Sequence, residues 1–520
     1  MCLAASARIP CSMKLVPKSR TAKAIFTAIS HVLNMVTAFV VSLIVTPVLV
    51  KWLGLENYGA WVMAAQLIGY VALADLNPMN SLKLKLGIQQ HLDNSQEKQQ
   101  LIGASLIVAL SLMPLFILLS FMAAYFAPLM VHASTLNYWD FQKAVFVLGA
   151  NLSIAAFINL PVIVLRSANL EYKGMGVRSA GTVLIGVADI AVVFLNGGLT
   201  WLAINRLIYS MLIGAWHLKI AIHNVPWIGV GKPTLDAFRS ILSISLWGTI
   251  GALSNIVGRN SDLLFIGVLF GPAISAMVSL TQTPVRVFCT YFYTLQGAMA
   301  GGAQDLIGRQ AFERLTQIRY ALHGMLLTLF VFSAVIMVWI NEQFIHFWVG
   351  NGKYAGHTTN IFLIFIALAV LVSNLEGGTL AAFLKVKLWA RVNLTVSILG
   401  TIVALLLGRF LGIYIFLIAL LLFRTFQAVI YGRLVNIEMR VPSYRQDWWP
   451  AWTISIGSLV VAYYARTTFF APLTYWGAIY GLLAAFGAAA IIFAWVIPSQ
   501  ARIQLYAFKN SLDLNRGFAR

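Results

Sequence analysis

Apolar segments long enough to cross a bilayer recur along nearly the whole chain, from Ala24 to Ile497. A crossing needs about 20 predominantly apolar residues. Stretches that meet this condition lie at 24–50, 58–76, 101–127, 142–165, 178–196, 199–218, 240–270, 273–298, 320–340, 358–384, 391–408, 412–432, 451–466 and 476–497. Of the 520 residues, 60% are hydrophobic and only 10% charged, so a water-soluble fold would lack the polar skin it requires. The chain is therefore expected to be an all-α polytopic membrane protein with about 14 transmembrane helices. Short loops join them, and no extramembrane domain is expected.

The formal charge of +20 is spread over small clusters in alternate loops. It forms neither a basic arm nor a nucleic-acid-reading motif, so nucleic acid is not an expected partner. With the N-terminus inside, about 27 basic residues fall on the inner face, and only Lys51, Lys353, Arg409 and Arg466 fall outside. Both termini are thus expected to be cytoplasmic. Residues 1–23 read as a basic tail and Ala24–Val50 as a retained first helix, since this run is too long for a cleaved signal peptide. Cys2, Cys11 and Cys289 provide neither a disulfide framework nor metal-ligand spacing. No cofactor or metal is expected.

Cations inside the spans carry the functional information. Lys143, Arg206, Arg259, Arg286 and Arg424 lie within apolar stretches, where a charge costs about 2.5–3.5 kcal/mol on insertion scales. Lys143 is near enough to a span end to snorkel. Arg286 and Arg424 stand near mid-depth with no acid close in sequence and are the leading candidates for contact with an anionic solute, joined by Arg259 and Arg206. Arg259 and Asp262 are three residues apart and can pair on one helical face, or stand on a short outer loop. Asp189 and Arg206 sit at similar depths about the turn joining spans 5 and 6, where they can neutralise each other. Glu376 lies beside Gly377 and Gly378, where an irregular backbone would need a neighbouring cavity. Asp262, Asp189 and Glu376 are the candidate couplers of H+ or Na+. His31 and His323 lie in or beside spans with no partner carboxylate in view.

Two segments echo each other. LVKWLGLENYGAWVMAAQLIGY (49–70) and FIGVLFGPAISAMVSLTQTPV (265–285) share an order of apolar run, Gly, four residues, small residue and apolar run, aligning Gly54 with Gly271 and Gly59 with Ala276. Each lies near the start of one half, as in transporters built from repeats. Residues 83–100 and 303–319 read as amphipathic connectors lying on the headgroups. Trp52, Tyr58, Trp139, Trp348 and other aromatics near span ends read as an interfacial belt.

Residues 43–76, 261–271 (SDLLFIGVLFG) and 344–356 (FIHFWVGNGKYAG) resemble the Wzx-type polysaccharide and O-antigen flippases of the multidrug/oligosaccharidyl-lipid/polysaccharide exporter superfamily. Asn77-Pro78 departs from the Asp-Leu-Gly often found after span 2 in relatives. The resemblance implies an N-terminal lobe at 24–218, an inter-lobe linker at 219–239, a C-terminal lobe at 240–432 and two further helices within 433–497, followed by a tail at 498–520. It implies alternating access in a bacterial inner membrane. The solute would be an undecaprenyl-diphosphate-linked oligosaccharide, and a polysaccharide polymerase and glycosyltransferases would be partners. A transporter rather than an enzyme is expected, because the longest outer loops, about 15 residues, are too short for a polymerase of this class. A cation-coupled drug or metabolite antiporter of the same superfamily is the competing reading, and a polysaccharide polymerase a more distant one.

Overall fold

A computed structural model describes residues 20–72, 78–88, 94–131, 135–168, 170–246, 262–308, 310–383 and 385–439, with 457, 483 and 487. Every regular element among them is a helix: α1 (Arg20–Val71), α2 (Pro78–Ile88), α3 (Ser95–Met130), α4 (Tyr138–Ser167), α5 (Tyr172–Phe194) and α6 (Leu199–Asn224). These are followed by α7 (235–246), α8 (Asp262–Phe270), α9 (Pro272–Thr281), α10 (Thr283–Gly308) and α11 (Phe312–Val349). The last are α12 (His357–Ala382), α13 (Val386–Leu411) and α14 (Ile413–Met439). Eight helices among the described residues are long and apolar enough to cross a membrane. Apart from those three positions, the expected spans at 451–466 and 476–497 lie outside the described residues, as do residues 1–19 of the expected N-terminal tail and the C-terminal tail.

At 1.5 Å per residue, the 52 residues of α1 extend roughly 78 Å, more than twice the hydrocarbon thickness of about 30 Å. The element is two spans joined at Gly54, whose φ of 79° and ψ of 165° are outside the helical range. Gly271, between α8 and α9, adopts φ 94° and ψ 157°. This region is essentially closed to residues with a Cβ, so the two aligned glycines make the same turn by the same means. Gly350, Gly356 and Gly412 repeat it at the other short turns of the second half.

Side-chain caps set several boundaries. Asn94 Oδ1 accepts from Glu97 N at the start of α3, and Asn137 Oδ1 accepts from Asp140 N at the start of α4. Asp140 in turn accepts from Leu199 N and Thr200 N, placing a carboxylate on the N-terminus of α6. The stretches read as amphipathic connectors divide between helices, 83–88 ending α2. Residues 95–100 are the first turns of α3, and 303–319 divides between the end of α10 and the start of α11, with 310–311 outside both. The helices run past the apolar segments, because polar ends continue a helix once its axis is set by packing.

The helices pack in two groups. α1 to α6 form one, in which α4 lies against α2, α3 and α6, and α1 against α5. α8 to α14 form the other, with α12 and α13 against α14 and α10 against α11 and α12. α1 supplies the main packing between them, lying on α8, α9 and α11. A Cβ on Gly59 would stand 1.9 Å from Pro272 O, so only glycine permits this approach. The 225–234 segment is a strap rather than a loose connector. Gly231 N donates to Gln99 O (2.9 Å), Gln99 Nε2 donates to Trp227 O (3.3 Å), and Lys98 Nζ stands 5.1 Å from the Trp227 ring centroid. α7 continues into the first group: Ile241 is buried among residues of α2, α3, α4 and α6, and Ser245 is hydrogen-bonded to Ser81 (2.9 Å).

Candidate functional site

The charged residues that the sequence singles out occupy three distinct settings. Asp189 on α5 and Arg206 on α6 form the pair that their depth suggests: Arg206 Nη2 donates to Asp189 Oδ2 (2.6 Å) and Asn205 Nδ2 donates to Asp189 Oδ1 (2.6 Å). The Asp189 side chain is 1% exposed, whereas that of Arg206 is 38% exposed and keeps donor capacity beyond the pair.

Arg424 is buried at the heart of the second group. Its Nη1 donates to Ser397 Oγ (3.3 Å) on α13 and to Gln427 Oε1 (3.4 Å) one turn along α14. Gln427 Nε2 donates to Asn393 Oδ1 (2.6 Å), and Tyr431 OH donates to the carbonyl of Trp389 (3.0 Å). Asn393, Arg424, Gln427 and Tyr431, with Ser373 and Asn374, line a cavity of about 20 Å³. That volume accommodates one water molecule and is far too small for a diphosphate. Asp262 on α8 lies within electrostatic reach of Arg424. Arg259, the partner expected for Asp262, and Asn260 are outside the described residues.

Glu376 is 2% exposed and engaged from α11 on both oxygens. Arg319 Nη2 donates to Oε2 (2.7 Å), Arg319 Nε to Oε1 (3.1 Å), and His323 Nε2 to Oε1 (2.6 Å). Arg319 also donates to Asn436 Oδ1 (2.6 Å) and to Gly432 O (3.4 Å), joining α11, α12 and α14. Two expectations are corrected here. His323 does have a partner carboxylate, on a helix 53 positions away in sequence. α12 runs as one helix through Gly377 and Gly378, and the missing side chain of Gly377 makes room for Trp389 Nε1, 2.7 Å from where its Cβ would be.

Arg286 differs from all of these. It lies in the first turn of α10, is exposed, and among the described residues no hydrogen bond or ion pair engages its guanidinium. Its charge reaches Tyr58 on α1 and Cys289 one turn further along α10. Tyr58 packs where the two helix groups meet, beside Val50, Leu280, Ile345 and Val349. Among the described residues, Arg286 is therefore a cation with no acid engaging it, near the seam between the groups.

Two aromatics of the expected belt prove to be seam residues. Trp348 Nε1 donates to Leu43 O (2.7 Å), and its ring stacks on Phe344 at 5.1 Å, tying α11 to α1. Tyr58 is half-buried in the same cluster. Trp139, at 74% exposure, and Trp52 remain surface residues as a belt requires. Lys353, in the turn between α11 and α12, donates to Val349 O (2.6 Å), and partial burial holds its ammonium below the usual lysine pKa. Arg319, Gln427, Asn393 and Tyr431 escape the sequence reading. Arg319 falls in the stretch expected to lie on the headgroups, and neutral polar residues within spans are too common to single out.

No protein-family model and no curated protein sequence matches the chain. Solved structures do. The lipid II flippase MurJ in an inward closed conformation overlays with a TM-score of 0.64 at 14% identity, covering 91% of this chain and 98% of that one. A multidrug resistance MATE family transporter of the MOP superfamily, inward-facing, overlays with a TM-score of 0.62 at 14% identity, over 79% of this chain and 98% of that one. An outward-facing MATE transporter overlays at 0.57 and 12% identity, over 81% and 96%. At these identities the likeness is one of fold. The chain has the helical fold of these MOP-superfamily transporters.

Proposed function

We propose that this protein moves a lipid-diphosphate-linked oligosaccharide repeat unit, undecaprenyl-linked, from the inner to the outer leaflet of a bacterial inner membrane by alternating access. The product would feed surface polysaccharide biosynthesis, and the polymerase and glycosyltransferases of that process are the proposed partners. The distribution of basic residues supports a cytoplasmic position for both termini in this reading.

The carrying observation is Arg286, an exposed guanidinium near the seam with no acid engaging it among the described residues. A cation left uncompensated within an apolar span is costly unless water or an anionic ligand reaches it. A diphosphate can take the planar donor fork in bidentate fashion. Arg206, with its outward donors, is proposed as a second contact, and Arg259 as a third. Arg424 keeps its proposed role only if its buried surroundings open during the cycle.

The rival is a cation-coupled drug antiporter, and the overlay on MATE transporters supports it. Such a protein would favour acids where the helix groups meet. Here Asp189 and Glu376 are both buried and already held by Arg206 and Arg319. Asp189, Asp262 and Glu376 remain proposed sites for coupling H+ or Na+, whichever solute moves.

Complementation tests this reading. In cells lacking the gene, Arg286→Ala should lower surface polysaccharide roughly tenfold or more at unchanged protein level, the loss expected from a charged hydrogen bond of about 1.5–3 kcal/mol. Arg286→Lys should recover part of it. Wild-type polysaccharide from Arg286→Ala would remove the residue, and the anion contact with it, from the mechanism.

A further inference from the structure

Pro47 lies inside α1, within a stretch long and apolar enough to cross a membrane. Proline has no backbone N–H, so the carbonyl four positions earlier, Leu43 O, lacks its helical donor. In an apolar setting such an acceptor needs a donor from elsewhere in the protein, because water is not at hand. The donor that meets it is Trp348 Nε1, at 2.7 Å and 305 positions away in sequence. An indole N–H donates and never accepts, so the vacancy and the donor match one to one.

The match crosses the seam. Trp348 belongs to α11, in the second helix group, while the part of α1 that carries Leu43 packs within the first. A Cβ on Gly186 of α5 would stand 2.5 Å from Val41 Cγ1 and 3.1 Å from Val45 Cγ2, on either side of Leu43 in sequence. The Trp348 ring is oriented by its stack on Phe344 (5.1 Å). It also joins the cluster in which Val50 of α1 meets Leu280 of α9 with Ile345 and Val349 of α11. Val50 and Leu280 are each 1% exposed. The contact therefore closes the seam beside the Gly54 and Gly350 turns. Parting the groups there would withdraw the indole N–H and leave Leu43 O unmet, a cost that parting from an ordinary, internally satisfied helix would not carry. Pro47 thus favours the joined arrangement from within the helix that supplies the main packing between the groups.

We propose that Pro47, Leu43 and Trp348 form a latch between the two helix groups. The proline leaves a carbonyl on α1 without its donor, and the tryptophan of α11 fills that place only while the groups are joined at this end. The latch rests on the alternating access proposed above, and not on the solute that is moved.

Its test uses no solute. Full-length protein with Cys2, Cys11 and Cys289 replaced by Ala carries spin labels at Leu195→Cys and Phe410→Cys, both exposed positions. Leu195 follows Phe194, whose ring meets Trp52 at 5.0 Å, and Phe410 stands beside the Gly412 turn. In vesicles of phosphatidylethanolamine and phosphatidylglycerol, the inter-label distances should divide into a short, joined population and a long, parted one. Trp348→Phe keeps the ring and its stack but loses the N–H, so Leu43 O is unmet in both arrangements. The long-to-short ratio should then rise about tenfold. Pro47→Ala restores an N–H that meets Leu43 O in both arrangements, and should raise the ratio by a similar factor. The double variant should match either single one, at about tenfold rather than about a hundredfold, because the same interaction is removed twice. An additive double variant would mean two independent packing effects and would overturn the latch. An unchanged ratio in either single variant would also overturn it, and Pro47→Ala alone suffices if Trp348→Phe does not fold. Ratios that respond as stated in a protein that exposes no lipid-linked sugar would uphold the latch and remove the solute reading alone.

Discussion

At the scale of single residues, buried charge is handled by pairing across helices. Glu376→Gln would remove the carboxylate that Arg319 and His323 share, and breaking such a buried pair from one side costs about 3–5 kcal/mol. The double change Arg319→Met with Glu376→Leu removes both charges and should be markedly more stable than the single variant. The melting temperature of the detergent-solubilised protein, followed by size-exclusion profile after heating, checks both. Equal melting of Glu376→Gln and the unmodified protein would show that the bridge contributes nothing. The sequence made one pair legible and hid the other. Asp189 and Arg206 flank a single turn on consecutive helices, so their depths can be compared directly. Glu376 meets Arg319 and His323 across 57 and 53 positions, and nothing local in either segment specifies which helices become neighbours. Arg424 was conspicuous as a mid-span cation, but its neutral partners Ser397 and Gln427 were not, so its burial could not be foreseen.

At the scale of elements, glycine does two separate jobs. The echo of Gly54 and Gly271 was visible in sequence because both glycines sit in short local patterns, and both take the same positive-φ turn. The close approach of Gly103 to the 225–234 strap was not visible, since it joins segments more than a hundred residues apart. A Cβ on Gly103 would stand 2.1 Å from Gly231 O. Gly103→Val should therefore displace the strap while leaving α3 helical, because backbone cannot yield as a flexible side chain can. Limited chymotrypsin digestion should then cut after Trp227, with the unmodified protein more resistant at that bond. Unchanged protection would mean that the strap is held elsewhere. The amphipathic stretches at 83–100 and 303–319 pose the opposite difficulty, since each divides between two helices. Hydropathy reports where lipid ends, but helices such as α3, 36 residues long, continue beyond it.

At the scale of the whole molecule, two helix groups meet chiefly along α1, with charge arranged unequally around the contact. The buried acids of both groups are already held by arginines, while Arg286 is left exposed near the seam. Relative movement of the groups would bring different surfaces to that cation, which is how one anion site can face each side of a membrane in turn. The fold was legible from hydropathy and loop charge, since a bilayer allows few alternatives to a helical bundle. The solute is a matter of chemistry at the site, and fold likeness alone does not supply it. The most direct measurement is flux in proteoliposomes containing the purified protein and undecaprenyl-diphosphate-linked oligosaccharide, with the sugar's exposure to an external lectin followed over time. Protein-dependent exposure, reduced roughly tenfold or more by Arg286→Ala at equal reconstitution, is the result this account predicts. Exposure at the rate of protein-free vesicles, alongside efflux of a cationic drug by the same preparation, would contradict it.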